Sequence, residues 1–418
     1  MAEVEVRRPM LQAVPKLGSE NSLPYSFNAG TDIVLQPYGA FVSNKGANQF
    51  HVIDNAATAI LISLVADKDP FSLGYSQENV STVFERLSEG GILTKSNSIS
   101  SPPTILANSK NRLRYVRADV EVTNRCNLAC VYCYAEVNRS KFELTLSEWQ
   151  EILGSLHKRG LRAILFSGGE PFIRKDFMEL LSWASRLFVT EINTNGRFIT
   201  NEIAAELSKL QLKRVQVSLD SYDSEHHDRL RGKKSHFYAK QALEMLSRAG
   251  VPIQISTVST AANLDQIAKL KVYATEIGGF LNVAPVTKNG FANKIADEVW
   301  NTDFRSSYRF HSETPSNKHS AIPLCQSVIG SIAISFTGDM KPCNQRENYF
   351  APTEEVALAS RKTRWWTEDF GKSPLGKAVS KLPFDGRKMK VPKIAQNACD
   401  LQNFLLSVES LKGDAQNP

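Results

Sequence analysis

Between Arg117 and Val286 short apolar runs alternate with amphipathic ones, and that alternation limits what the chain can become. The runs ADVEVT, AILFSG, VTEINT, VQVSLD, IQISTV and LNVAPV are short and rich in β-branched residues, as buried strands are. Between them lie LSEWQEILGSLHKRG, KDFMELLSWASRL, NEIAAELSKL, FYAKQALEMLSRAG and NLDQIAKLKVYATEIG, with apolar residues at helical spacing. Ser147 and Gln150 suit a capping box for the first of these helices. Strands separated by helices of this length pair in parallel, with the helices outside. An α/β fold is therefore expected: a partial (β/α)6 TIM-like barrel, open on one side, with ligands at the carboxyl ends of its strands.

The residues with the most chemistry fall at those ends. Cys126-x3-Cys130-x2-Cys133, within VTNRCNLACVYCYAE, follows the first strand. Each thiolate can ligate one iron of a four-iron cluster. The fourth iron then stays open to a ligand with an amine and a carboxylate. A structural zinc would need four ligands, usually in paired CxxC units, and no fourth lies nearby. The second strand runs into Gly168-Gly169-Glu170-Pro171, where glycines allow close backbone approach and a carboxylate can hold an ammonium. EINTNG (Glu191–Gly196), VQVSLDS (Val215–Ser221) and HDRLRG (His227–Gly232) follow. Alone, each is ordinary turn chemistry. In this order, the series resembles the radical SAM superfamily.

The resemblance implies a [4Fe-4S] cluster on Cys126, Cys130 and Cys133, carrying S-adenosylmethionine (SAM) on its open iron. Reductive cleavage of SAM then yields a 5′-deoxyadenosyl radical. It implies that Tyr132 belongs to the cluster loop. It places Gly168, Gly169 and Glu170 at the methionine ammonium. Asn195, Ser218 and Asp220 fall among contacts to the ribose and methionine carboxylate, and Arg231 becomes a carboxylate partner. The histidine pair His226-His227 reads as a solvated loop.

Two flanking regions complete the chain. Residues 1–24 carry three prolines and no periodicity, and read as a flexible arm. Residues 25–100 hold paired strands, an apolar helix starting at Asn55, a second helix ending at Gly90-Gly91 and the strand ILTKS. This winged-helix-like pattern resembles the PqqD-like domains of ribosomal-peptide maturases, which add a leader peptide as a strand to a sheet edge. DNA binding is the alternative. Two acids and one arginine over Asn79–Glu89 argue against it. The barrel is expected over 110–290. Beyond it, residues 291–418 contain Cys325-x12-Gly338-x4-Cys343, with SIAISFTGDMKP as a hairpin, and then Cys399. This pattern resembles the shortened twitch form of the SPASM domain. The resemblance implies a small C-terminal iron–sulfur domain with one auxiliary [4Fe-4S] cluster on Cys325, Cys343 and Cys399. Trp365-Trp366 reads as packing or as the paving of a substrate groove.

The chain has 418 residues and six cysteines. Two sets of three would use every cysteine and leave no thiol as a hydrogen-atom donor. That favours an oxidative product over epimerisation. The combined expectation is a peptide maturase that cross-links side chains through C–C or ether bonds, with thioether formation next. A radical enzyme acting on a small molecule or on RNA, and an iron–sulfur sensor binding DNA, are the rivals. The partners implied are a precursor peptide and an electron donor such as flavodoxin or ferredoxin. Nucleic acid is not expected as a partner, although the net charge of +7 permits an acidic peptide or nucleic acid without demanding one. No apolar run approaches membrane-spanning length, and MAEVEVRRPM lacks a signal-peptide core, so membrane binding is not expected and the chain reads as cytoplasmic.

Overall fold

A computed structural model describes residues 25–36, 39–66, 69–96, 102–106, 115–133, 135, 137, 142–259, 263–285 and 330–341. The arm over 1–24, most of 291–418, Cys325, Cys343, Cys399 and Trp365-Trp366 lie outside the described residues.

The first unit comprises β1 (Tyr25–Phe27), β2 (Thr31–Gln36), β3 (Gly39–Asn44), β4 (Gln49–Asp54), α1 (Asn55–Val65), α2 (Gln77–Glu89), β5 (Leu93–Lys95) and β6 (Thr104–Leu106). Strands β2, β3 and β4 form an antiparallel meander, and β6 adds parallel to β2 in a four-stranded sheet ordered β4-β3-β2-β6. Its three residues give too short a signal for sequence patterning to find. Strand β1 pairs with β5 in a separate two-stranded ribbon. Helix α1 is capped by the Asp54 side chain, which accepts from Ala57 N–H, so the cap sits one residue before the expected asparagine. Ile33, Ala40, Val42, Ile60, Leu61, Val80 and Phe84 bury one face of the sheet against the helices.

The second unit is the barrel: β7 (Arg117–Glu121), α3 (Leu146–Lys158), β8 (Ala163–Ser167), α4 (Phe177–Ala184), β9 (Val189–Thr194), α5 (Asn201–Ser208), β10 (Leu212–Ser218), α6 (Ser224–Arg231), α7 (Ser235–Arg248), β11 (Ile253–Ser259), α8 (Leu264–Glu276) and β12 (Phe280–Pro285). These six strands are parallel, as expected. Alternate residues such as Val120, Phe166, Ile192, Val217 and Ile255 join the core beneath the helices. Helix α3 has its capping box at Thr145 and Glu148, two residues earlier than expected. Thr145 is the residue with extended backbone, and only from there can its hydroxyl reach the N3 amide.

Two strands from the tail extend this sheet: β13 (Ser331–Ile334) and β14 (Met340–Lys341). The expected hairpin forms, but it is no separate body. Strand β13 lies parallel to β7, and the full order is β12-β11-β10-β9-β8-β7-β13-β14. The turn between them is braced against the barrel, since Leu144 N–H donates to Phe336 O at 3.0 Å.

The other face of the first sheet covers the amino-terminal end of the barrel strands. Val34, Phe41, Phe50, Val52 and Leu106 pack there against Val116, Ala163 and Val189. Arg162 Nε lies 2.6 Å from Asp32 Oδ2, and Lys213 Nζ donates to Gln49 Oε1 at 2.7 Å. Behind that seal, Glu191 is buried between Arg117 at 3.2 Å and Arg214 at 2.8 Å. Among the described residues no helix is long and apolar enough to cross a membrane.

Candidate active site

The loop after β7 carries Cys126, Cys130 and Cys133, all free thiols. Its start is fixed by backbone pairing that prolongs the sheet. Gly169 N–H donates to Thr123 O and Glu170 N–H to Arg125 O, both at 2.8 Å. The glycines are needed for this approach. A Cβ on Gly168 would stand 2.3 Å from Thr123 O, and one on Gly169 would stand 2.2 Å from Arg125 O and 3.0 Å from Cys126 Cβ. Gly168 also has φ +136°, in the region that favours glycine. Glu143 closes the same segment from the far side. It accepts from the Thr123 hydroxyl, from Asn124 N–H at 3.2 Å, and from Arg125 Nη2 at 3.0 Å.

Glu170 is fully buried. Thr194 Oγ1 and Phe172 N–H donate to its Oε1 at 2.8 and 3.2 Å, and Asn195 N–H donates to Oε2 at 2.7 Å. Burial pushes its carboxyl up to about 7, against the pull of those three donors. Asn195 in turn donates through Nδ2 to Asn127 Oδ1 at 2.9 Å, so the end of β9 touches the cluster loop.

The other end of the loop is held by Tyr132. Its hydroxyl donates to Asp220 Oδ2, and Arg231 Nε donates to the same oxygen at 2.6 Å. Burial alone would raise the Asp220 carboxyl, but the Arg231 guanidinium outweighs it and holds the group below its usual range. His227 is not solvated: it lies in α6, is fully buried, and its Nδ1 accepts from Asp220 N–H at 3.1 Å. The sequence missed this because a short polar helix carries too little apolar signal. Burial depresses the ring to about 3, so it is neutral at physiological pH. Ser218 ends β10 beside Ser256 of β11.

Beside the cluster loop opens a cleft of about 410 Å³, lined by Asn127, Leu128, Asn195, Arg197, Lys233, Lys234, Ser235 and Tyr238. The Arg197 guanidinium stacks 3.6 Å from the Tyr238 ring centroid. Three cations and no acid line this space, which suits an anionic or zwitterionic ligand. The reading of the sequence missed Arg197, Lys233, Lys234 and Tyr238. The run RGKKS at the end of HDRLRG was the available signal.

The donor set fits an iron–sulfur cluster. Burial pushes the Cys126 thiol up to about 12 and Cys133 to about 11, so these thiols become thiolates only beside strong positive charge. A four-iron cluster spreads its thiolates over separate corners. Asn124, two residues before Cys126, is 4% exposed, and among the described residues neither atom of its carboxamide has a partner. A buried amide in that position keeps hydrogen-bonding capacity for a bound group.

Comparison with known proteins agrees with this geometry. Residues 120–270 match the family model of the Radical SAM superfamily. A stretch of 182 residues is 36% identical to the mycofactocin maturase MftC of Mycolicibacterium smegmatis, covering 43% of this chain and 46% of the maturase. The chain thus spans about half the length of that relative. An AdoMet-dependent heme synthase of Oleidesulfovibrio alaskensis is 27% identical over 267 residues, covering 54% of this chain and 69% of the synthase. Streptococcus suis SuiB bound to S-adenosylmethionine superposes with a TM-score of 0.55 at 18% identity, covering 82% of this chain and 88% of that one, which establishes a shared fold.

Proposed function

We propose that this chain is a radical SAM enzyme that modifies a ribosomally made precursor peptide by oxidative side-chain cross-linking, through a C–C or ether bond. The observation that carries the reading is the three-cysteine loop, pinned at the carboxyl mouth of the barrel. The cleft beside it lies within residues 120–270, which match the Radical SAM family model. When bound, the cluster and SAM together supply hydrogen-atom abstraction. Cys126, Cys130 and Cys133 hold the cluster. Arg197, Lys233 or Lys234 takes the methionine carboxylate in the cleft, and Glu170, through the turn it braces, sets the neighbouring strand end. The first unit has the strand–helix–helix–wing order of a leader-binding domain, and among the described residues its β4 pairs on one side only, which suits an added strand. Cys325, Cys343 and Cys399 are the proposed ligands of a second cluster that accepts the substrate electron.

Two experiments test this. Replacing Cys126, Cys130 and Cys133 together by Ala should abolish SAM cleavage and lower iron from about eight to about four per chain. An unchanged iron content would remove the first assignment. Where a short reading frame beside the gene encodes a leader and an aromatic-rich core, co-expression with that peptide should give a product lighter by two hydrogens per modification. A product of unchanged mass that gains deuterium from heavy water would mean epimerisation instead. The relationship to the heme synthase supports a second reading, a radical enzyme acting on a small molecule. Deoxyadenosine formation stimulated by a tetrapyrrole, and not by peptide, would select it.

A further inference from the structure

We infer that Asp220 and Tyr132, joined through Arg231, form a latch that sets the cluster loop, and that Asp220 and Tyr132 are positioning residues, not ligands of SAM. This inference rests on the reading of the cysteine loop as a cluster site. A carboxylate offers about four lone-pair sites. All four of Asp220 are filled from within the protein. Oδ2 takes the Tyr132 hydroxyl and Arg231 Nε, and Oδ1 takes Val258 N–H at 2.9 Å and Arg231 Nη2 at 3.4 Å. The residue is fully buried, and Asn263 Nδ2 fixes its carbonyl at 2.8 Å. No acceptor remains for a ribose hydroxyl.

The bonds that fill Asp220 all lead to the cysteine loop or to what carries it. Tyr132 sits between Val131 and Cys133, and Val131 N–H donates to Leu230 O at 2.9 Å. The Cys130 thiol lies 3.9 Å from Arg231 O, and the Arg231 guanidinium lies 5.5 Å from the Tyr132 ring centroid. Tyr132, Leu230, Cys130 and Val258 close together as a small apolar group around this contact. The last residues of α6 and the ends of β10 and β11 are thereby tied to the second and third cysteines. Together with the Gly168-Gly169 turn and Glu143, which fix the first cysteine, both ends of the loop are set. An iron cube can then be bound without ordering eight residues of free chain, whose entropy would otherwise oppose binding. Tyrosine serves here through its hydroxyl, which phenylalanine lacks.

The test compares anaerobically reconstituted wild type with Tyr132→Phe, Asp220→Asn and the double variant. Iron loss to bathophenanthroline is followed in each, along with the electron paramagnetic resonance signal of the reduced cluster. Each single variant is expected to lose iron about tenfold faster, the loss expected when a buried hydrogen bond is broken, with a changed reduced-cluster signal. The double variant should match Asp220→Asn, because both changes break the same contact. Wild-type iron loss in Tyr132→Phe, or a double variant whose effect is the product of the singles, would overturn the latch. So would weakened SAM binding in Tyr132→Phe with iron retention unchanged. If Asp220→Asn fails to fold, the Tyr132→Phe arm decides alone. A wild type that takes up no iron would overturn the cluster reading, whereas equal iron loss in all proteins would overturn the latch alone.

Discussion

At Glu170 the three protein donors and full burial oppose each other, and burial wins, leaving the carboxyl near 7. A folded-state value above the unfolded one has a definite sign. The folded chain keeps a proton that the unfolded chain releases in the ordinary carboxylate range. Stability from this group is therefore complete below that range and declines as pH rises to about 7. Glu170→Gln keeps the site neutral at every pH, so it should flatten the fall in Tm between about pH 5 and 7. A slope equal to the wild type would mean that Glu170 is ionised throughout. The residue was legible as a site residue from the GGEP turn. That its oxygens brace β8 against β9 was not legible, because Thr194 and Asn195 reach it only after the two strands pair.

Among the elements, α3 gives a direct test of where the helix begins. Both Thr145-x2-Glu148 and Ser147-x2-Gln150 fit the capping pattern, and only the first has the extended N-cap backbone. Thr145→Ala should cost about 1 kcal/mol, read as a drop in Tm. Ser147→Ala should cost under about 0.5 kcal/mol. Equal losses would mean that the helix start is shared between two registers. Existence and type of the barrel strands followed from sequence because each is a β-branched run flanked by turn residues. The placement of β13 did not follow. Its pairing with β7 joins residues more than two hundred positions apart, and no local pattern records a partner at that distance.

Across the whole molecule, the N-terminal unit resembles from sequence a leader-peptide recognition domain. Its sheet has two buried faces, one on its own helices and one on the barrel floor. Each apolar side chain such as Val34 or Phe41 buried there contributes about 1.5–3 kcal/mol. Deleting residues 1–100 should therefore uncover Val116, Ala163 and Val189 and weaken the seal over the Arg117–Glu191–Arg214 charges. The expected outcome is loss of soluble, cooperatively melting protein. A truncated chain that stays soluble and still cleaves SAM at the full-length rate would show the unit to be an independent module.

Sequence alone determined the class of fold, the order of strands and helices, and the three thiols at a strand end. These are local facts, carried by periodicity and by spacing within a few residues. Tertiary structure decided which polar groups remain for a ligand. The oxygens of Asp220 and Glu170 accept from partners on other strands and helices, while Arg197, Lys233 and Lys234 line the cleft. A side chain's chemistry is written in its sequence, but its unused hydrogen-bonding capacity depends on neighbours that only folding brings within reach.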